Sequence, residues 1–169
     1  PADLLELAFI LGSQLLIMAG RAEDEAAART QLKAVLDSGA AFAKYKAFVA
    51  NQGGDTRVLD RPELLPQAHF IEELAAPHSG YLKTMDAEQI GIAAHSLGAG
   101  RKTKTEPIDP AVGLVLYRKV GDRVQAGEAL LQIHAPNREA AELVKADLLT
   151  AYTFSQETVK PPALIDRII

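Results

Sequence analysis

The chain has 169 residues, of which 48% are hydrophobic and 24% charged, a balance that suits one globular domain or two small ones. A net charge of -4 argues against a bulk nucleic-acid binder, and the absence of cysteine excludes disulfides and thiolate metal sites, as suits a cytoplasmic protein. With 5% aromatic residues and no tryptophan, the core must be built mostly from aliphatic side chains.

The first third reads as all helix. Asp3 can cap a helix that runs to about Ala19 and stops at Gly20. Leu4, Leu7, Leu11, Leu15 and Met18 recur at helical spacing, and Leu5, Phe9, Ile10, Leu16 and Ile17 fill much of the remaining circumference. A helix apolar nearly all round has to be buried on several sides. The rest of the chain offers few partners for it, so the helix is expected to belong to a larger body. The run Leu7 to Ala19 is too short to span a bilayer, and no basic segment precedes it as in a signal peptide. A second helix is expected from Asp24 to Asp37, with Ala27, Leu32, Val35 and Leu36 inward. A third is expected from Ala40 to Ala50, with Phe42, Tyr45, Phe48 and Val49 on one side. Asn51-Gln52-Gly53-Gly54-Asp55 ends it.

Residues 56–67, with Pro62 and Pro66, read as a linker. Strand-like runs follow at His69–Ala75, Tyr81–Met85, Val112–Arg118, Ala129–His134 and Ala163–Ile168. One helix among them starts at Asp86, with Gln89 as its capping-box partner, and ends at Gly98. Another starts after Asn137 and runs to Thr150, with Ala141, Val144, Leu148 and Leu149 on a face. The fold class expected is α+β: a helical segment over 1–55 from the end of an α/β domain, then a small α+β domain over 68–169.

In Val112 to Ala135, alternating apolar residues flank Val120-Gly121-Asp122 and Gly127, a pattern suited to a small, strongly curved sheet. Together with Ala76-Pro77-His78-Ser79-Gly80-Tyr81 it resembles the barrel-sandwich half-barrel of biotinyl and lipoyl domains. Those carriers need a lysine on an exposed hairpin to hold the cofactor. Here the strand is followed by Ala135-Pro136-Asn137-Arg138, and Lys83 lies in the wrong half. A carrier role is therefore disfavoured.

The order of motifs resembles the C-terminal portion of the pyrimidine nucleoside and thymidine phosphorylases. The matching pieces are Asp3-Leu4-Leu5-Glu6-Leu7, Phe48 to Asp55, Leu65-Pro66-Gln67-Ala68, Leu97-Gly98-Ala99-Gly100-Arg101-Lys102-Thr103-Lys104, Ile108-Asp109, Val112-Gly113-Leu114 and Lys119-Val120-Gly121-Asp122. The resemblance implies a homodimeric pentosyltransferase with a helical domain and a large α/β domain that ends in a barrel-like region. Such an enzyme cleaves a pyrimidine nucleoside with inorganic phosphate, its co-substrate, to a free base and a pentose 1-phosphate. The family's glycine-rich phosphate loop, with its Lys and Ser partners, and the Arg and Lys that grip the pyrimidine have no match in this sequence. No catalytic residue is carried over, and the chain by itself is expected to be structural and inactive. The alternatives are a stand-alone carrier-like binding module and part of an archaeal-type nucleotide phosphorylase.

The substrate-side candidates are Gly98, Gly100, Arg101 and Lys104, as a loop that closes over the active site. The competing reading is a helix C-cap followed by a solvated basic loop, because phosphate loops place their glycines before a helix. His69, His78, His95 and His134 do not have metal-ligand spacing. Glu72-Glu73 and Glu23-Asp24-Glu25 have no base or nucleophile beside them. Arg29, Lys33, Lys44 and Lys46 read as a solvated helix face, and no cofactor is expected in this segment.

Overall fold

The computed structural model describes residues 1–101 and 103–167. They form two compact units: residues 1–64 with the tail from Ala163, and Leu65–Pro162. The architecture is α+β, with helices and two small antiparallel sheets.

The first unit holds α1 (Ala2–Met18), α2 (Glu25–Asp37), α3 (Ala40–Asn51) and the short α4 (Arg57–Asp60), then a 3₁₀ turn at Pro62–Leu64. The expected linker thus contains two short helical pieces. Asp3 is not the cap of α1; Pro1 stands there, and Asp3 lies in the first turn. Asp24 does cap α2, its carboxylate accepting from the Ala27 amide at 2.8 Å.

Helix α1 packs on α2 through small residues. Ser13 and Ala28 are fully buried, and a Cβ at Gly12 would stand 3.0 Å from Leu32 Cδ1. Arg29 joins the two helices, donating to Glu6 at 2.7 Å and to Glu25 at 2.8 Å. It is therefore a bridge between helices rather than a member of a solvated face. The inward set of α2 also differs from expectation. Val35 and Leu36 are nearly half exposed and Ala27 is exposed, whereas Ala28, Arg29 and Leu32 face α1. On α3, Phe42, Tyr45 and Phe48 are all exposed.

The second unit carries the core. One sheet has the order β1 (Phe70–Ala75), β5 (Ala129–Ala135), β3 (Gly113–Leu116). The other has the order β4 (Arg123–Val124), β2 (Gly80–Met85), β6 (Tyr152–Ser155). All pairs are antiparallel. Leu74, Leu82, Leu130, Leu131 and Ile133 are buried with Ile90 and Ala93 of α5 (Ala87–Ala94) and Ala141, Val144 and Leu148 of α6 (Arg138–Thr150). Asp86 caps α5, and Asn137 caps α6 by accepting from the Ala140 amide at 2.8 Å. Lys145 in the middle of α6 reaches Glu72 on β1 at 2.5 Å, so helix and strand are tied by a partly buried ion pair.

Two expected elements change. No strand forms over residues 163–167, and Ile168 lies outside the described residues. The last strand is Tyr152–Ser155, which lies against β2 with the register Leu82↔Phe154 and Met85↔Tyr152. A strand needs a partner edge, and β2 offers it to the β-prone Tyr152-Thr153-Phe154 that directly follows α6. The helix expected to end at Gly98 instead stops at Ala94 and widens into a π-type turn over His95–Ala99.

Candidate functional site: the loop after helix α5

The π-type turn delivers the chain into the loop that carries Gly98, Gly100, Arg101 and Lys104. Gly98 leaves helical geometry at φ 111° and ψ 3°, a conformation costly for any residue with a Cβ. Its carbonyl accepts the Asp109 amide at 3.0 Å. Asp109 in turn accepts the Ala111 amide at 2.9 Å. The two ends of the excursion from Gly98 to Asp109 are thereby pinned to one point, as in a compact Ω-type loop. Within it Thr103 and Glu106 close a turn, the Glu106 amide donating to the Thr103 carbonyl at 3.3 Å. Arg101 and Lys104 are exposed and form no ion pair among the described residues. Lys102 lies outside those residues.

The backbone around Gly100 is confined. A Cβ built there would run into Cδ2 of the His95 ring and stand 3.0 Å from its Cγ and 3.1 Å from its Nε2. Gly98 meets the opposite wall, where a Cβ would stand 3.6 Å from Val112 Cγ2 and 3.7 Å from Asp109 Cβ. The sequence singles out the glycines, whereas His95 stands there only among four histidines without metal-ligand spacing, and nothing in the spacing of His95 and Gly100 announces their contact.

The other candidates stay apart. His78 packs edge-on against Phe154, with ring centroids 4.5 Å apart. His134 Nε2 lies 2.8 Å from Gln132 Oε1. Glu72 is taken by Lys145 and Arg118 by Glu128. Among the described residues no group of three or more His, Asp or Glu could hold a metal ion, and no helix is long and apolar enough to cross a membrane. Strand β5 runs through Pro136 into the Asn137 cap of α6, so a helix follows where a carrier would present its hairpin. Lys83 sits exposed within β2, not on a turn. Tyr152, buried in the core, has a hydroxyl with no hydrogen-bond partner, and burial pushes its pKa up to about 12.

The family model of the pyrimidine nucleoside phosphorylase C-terminal domain matches residues 81–155, from β2 through the loop to β6. The pyrimidine-nucleoside phosphorylases of Staphylococcus aureus strains bovine RF122 / ET3-1, USA300 and NCTC 8325 / PS 47 are each 46% identical over 169 residues. Each alignment takes in 100% of this chain and 39% of the relative, so the chain spans well under half the length of the curated relatives it matches. By sequence, then, the chain is similar over its whole length to part of the pyrimidine-nucleoside phosphorylases, and residues 81–155 resemble their C-terminal domain.

Proposed function

We propose that this chain is the C-terminal part of a pyrimidine nucleoside phosphorylase. The whole enzyme transfers the pentose of a pyrimidine nucleoside to inorganic phosphate, releasing a free base and a pentose 1-phosphate. The observation that carries this reading is the 46% identity to pyrimidine-nucleoside phosphorylases over an alignment of all 169 residues. The catalytic strategy is positioning plus electrostatics: two substrates held on separate domains, closure, and donors set around the developing charges. In that scheme residues 1–55 are the last helices of the large α/β domain, 56–67 a connection, and 68–169 the C-terminal domain with a carrier-like half-barrel. The exposed leucines of α1 support the first assignment, since such a surface is stable only when another body covers it. The enzyme is read as a cytoplasmic homodimer.

This part supplies no residue to bond cleavage. Its contribution is bracing, together with a loop at Gly98, Gly100, Arg101 and Lys104 that covers the cleft on closure. Arg101 and Lys104, exposed and without an ion pair among the described residues, support that role, because such cations are placed to meet an anionic substrate. The test has two arms. The 169-residue chain releases no uracil or thymine from uridine or thymidine with phosphate, whereas the full-length protein does. Release by the short chain would overturn the division of labour, and inactivity of the full-length protein on both nucleosides would overturn the phosphorylase reading. Arg101→Ala in the full-length protein raises KM for phosphate or lowers kcat; an unchanged profile removes the loop from the reaction.

A further inference from the structure

The loop must leave the fold in one direction for Arg101 to be useful, and the residue that sets this direction is not in the loop. We propose that His95 is the positioning residue of this loop: its imidazole, whose Cδ2 edge is seated against the Gly100 backbone, aims Arg101. The inference rests on the loop role proposed above. Three observations converge on it. The π-type turn starts at His95, whose own backbone is still α-helical, and breaks at Gly98, which brings Gly100, five positions on, against the His95 ring. Gly100 has no room for a Cβ on that side, so backbone and ring are in direct contact. Gly98, at φ 111°, is the pivot, and its carbonyl is held by Asp109. A pivot, a clamp and a seat together define a lever whose moving end begins at Arg101.

The ring acts by shape. A planar group of similar size should therefore replace it, and a proton-transfer role is not needed. This separates His95 from a catalytic histidine, which touches the reacting atoms and fails when its nitrogens are removed.

The experiment uses the full-length protein and steady-state kinetics with phosphate as the varied substrate, beside thermal unfolding. His95→Phe keeps kcat/KM within about twofold. His95→Ala frees the loop and raises KM for phosphate about tenfold with kcat little changed, a discrimination worth about 1.4 kcal/mol. Gly100→Ala misdirects the loop and loses more than His95→Ala. The double variant His95→Ala/Gly100→Ala returns to the level of His95→Ala alone, a non-additivity that marks a direct contact. Melting temperatures of His95→Ala and His95→Phe stay close together, so the kinetic split is not a folding defect. Loss of activity in His95→Phe equal to that in His95→Ala would overturn the proposal, as would strict additivity of the two alanine changes. Either result with an active wild-type protein leaves the phosphorylase reading standing; an inactive wild-type protein sinks that reading instead.

Discussion

The two units of this molecule solve the problem of apolar surface in opposite ways. In Leu65–Pro162 the inward-facing leucines and isoleucines of both sheets and two helices close on one another, and Leu82, Leu130, Leu131 and Ile133 lose all contact with solvent, while Ile71, Ile92, Leu116 and Leu143 remain on the surface. In residues 1–64, among the described residues, the only fully buried side chains are Ala28 and Ser13, while Leu4, Leu11, Leu15 and Met18 stay more than half exposed. The contrast teaches that hydrophobic composition does not distinguish a self-sufficient domain from a piece of a larger core. What distinguishes them is whether the apolar faces find each other within the same stretch of chain.

The sharpest way to break that comparison is a matched pair of leucine truncations. Leu131→Ala should destabilise the second unit by about 2–5 kcal/mol, because a buried leucine leaves a cavity that its neighbours only partly fill. Leu15→Ala, at a site 66% exposed, should change the stability of the 169-residue chain by less than about 0.5 kcal/mol. In the full-length protein the same Leu15 change should become costly, if another body covers α1. Equal effects of Leu15→Ala in both contexts, measured by chemical unfolding, would remove the larger-core assignment.

A titration sharpens the comparison next. Tyr152 is buried in the second unit and its pKa is pushed up to about 12 by desolvation alone. The unfolded phenol titrates near about 10. Its contribution is therefore fully present below that value and lost as pH rises through the folded value, on the order of 2 kcal/mol in all. Unfolding of the second unit followed from pH 9 upward should show this alkaline decline, and Tyr152→Phe should flatten it. Because the hydroxyl has no partner, the same substitution should not destabilise the domain at neutral pH.

The helix caps come next in size. Asn137→Ala should cost about 1 kcal/mol, since it strips the Ala140 amide at the start of a helix whose inner face is core. Asp24→Ala removes the equivalent bond in the first unit and should mostly fray α2 locally, visible as faster amide exchange at Ala27.

The smallest effect is at Asp55, whose pKa is lowered to about 2, first by the side-chain hydrogen bond from Arg57 and then by the Arg57 amide. A depressed carboxylate stabilises above its ordinary range and loses that contribution as pH falls through its folded value. Both partners are solvent-exposed, so the effect is local and screened by salt. An Asp55 carboxyl chemical shift that titrates near 2 in the parent and moves part of the way back toward its ordinary range in Arg57→Ala, where the residue-57 amide still donates, checks it.

Much of the second unit was legible in the sequence. Asn137 followed by Ala141, Val144 and Leu148 spells a capped amphipathic helix, and the alternation in Ala129 to Ala135 spells a strand with one face inward. The final strand was not legible, because Ala163-Leu164-Ile165 is as apolar as Tyr152-Thr153-Phe154 and only pairing with β2 separates them. The inward set of α2 was misread for a related reason. Leu32, Val35 and Leu36 share a stripe, but close packing against Gly12 and Ser13 selects the small Ala28. In the candidate loop the glycines announced a special backbone, whereas the ring that confines Gly100 could be found only once the π-type turn had been seen.

The sequence by itself determined the element order of most of the chain, the helix caps at Asp86 and Asn137, and the likeness to pyrimidine-nucleoside phosphorylases, since these depend on local periodicity and on residue identity in register with relatives. Only the tertiary structure decided which strand closes the second sheet, which face of α2 meets α1, and that His95 seats the loop. Each of those is a contest between segments of similar local preference, and long-range packing is the term that breaks the tie.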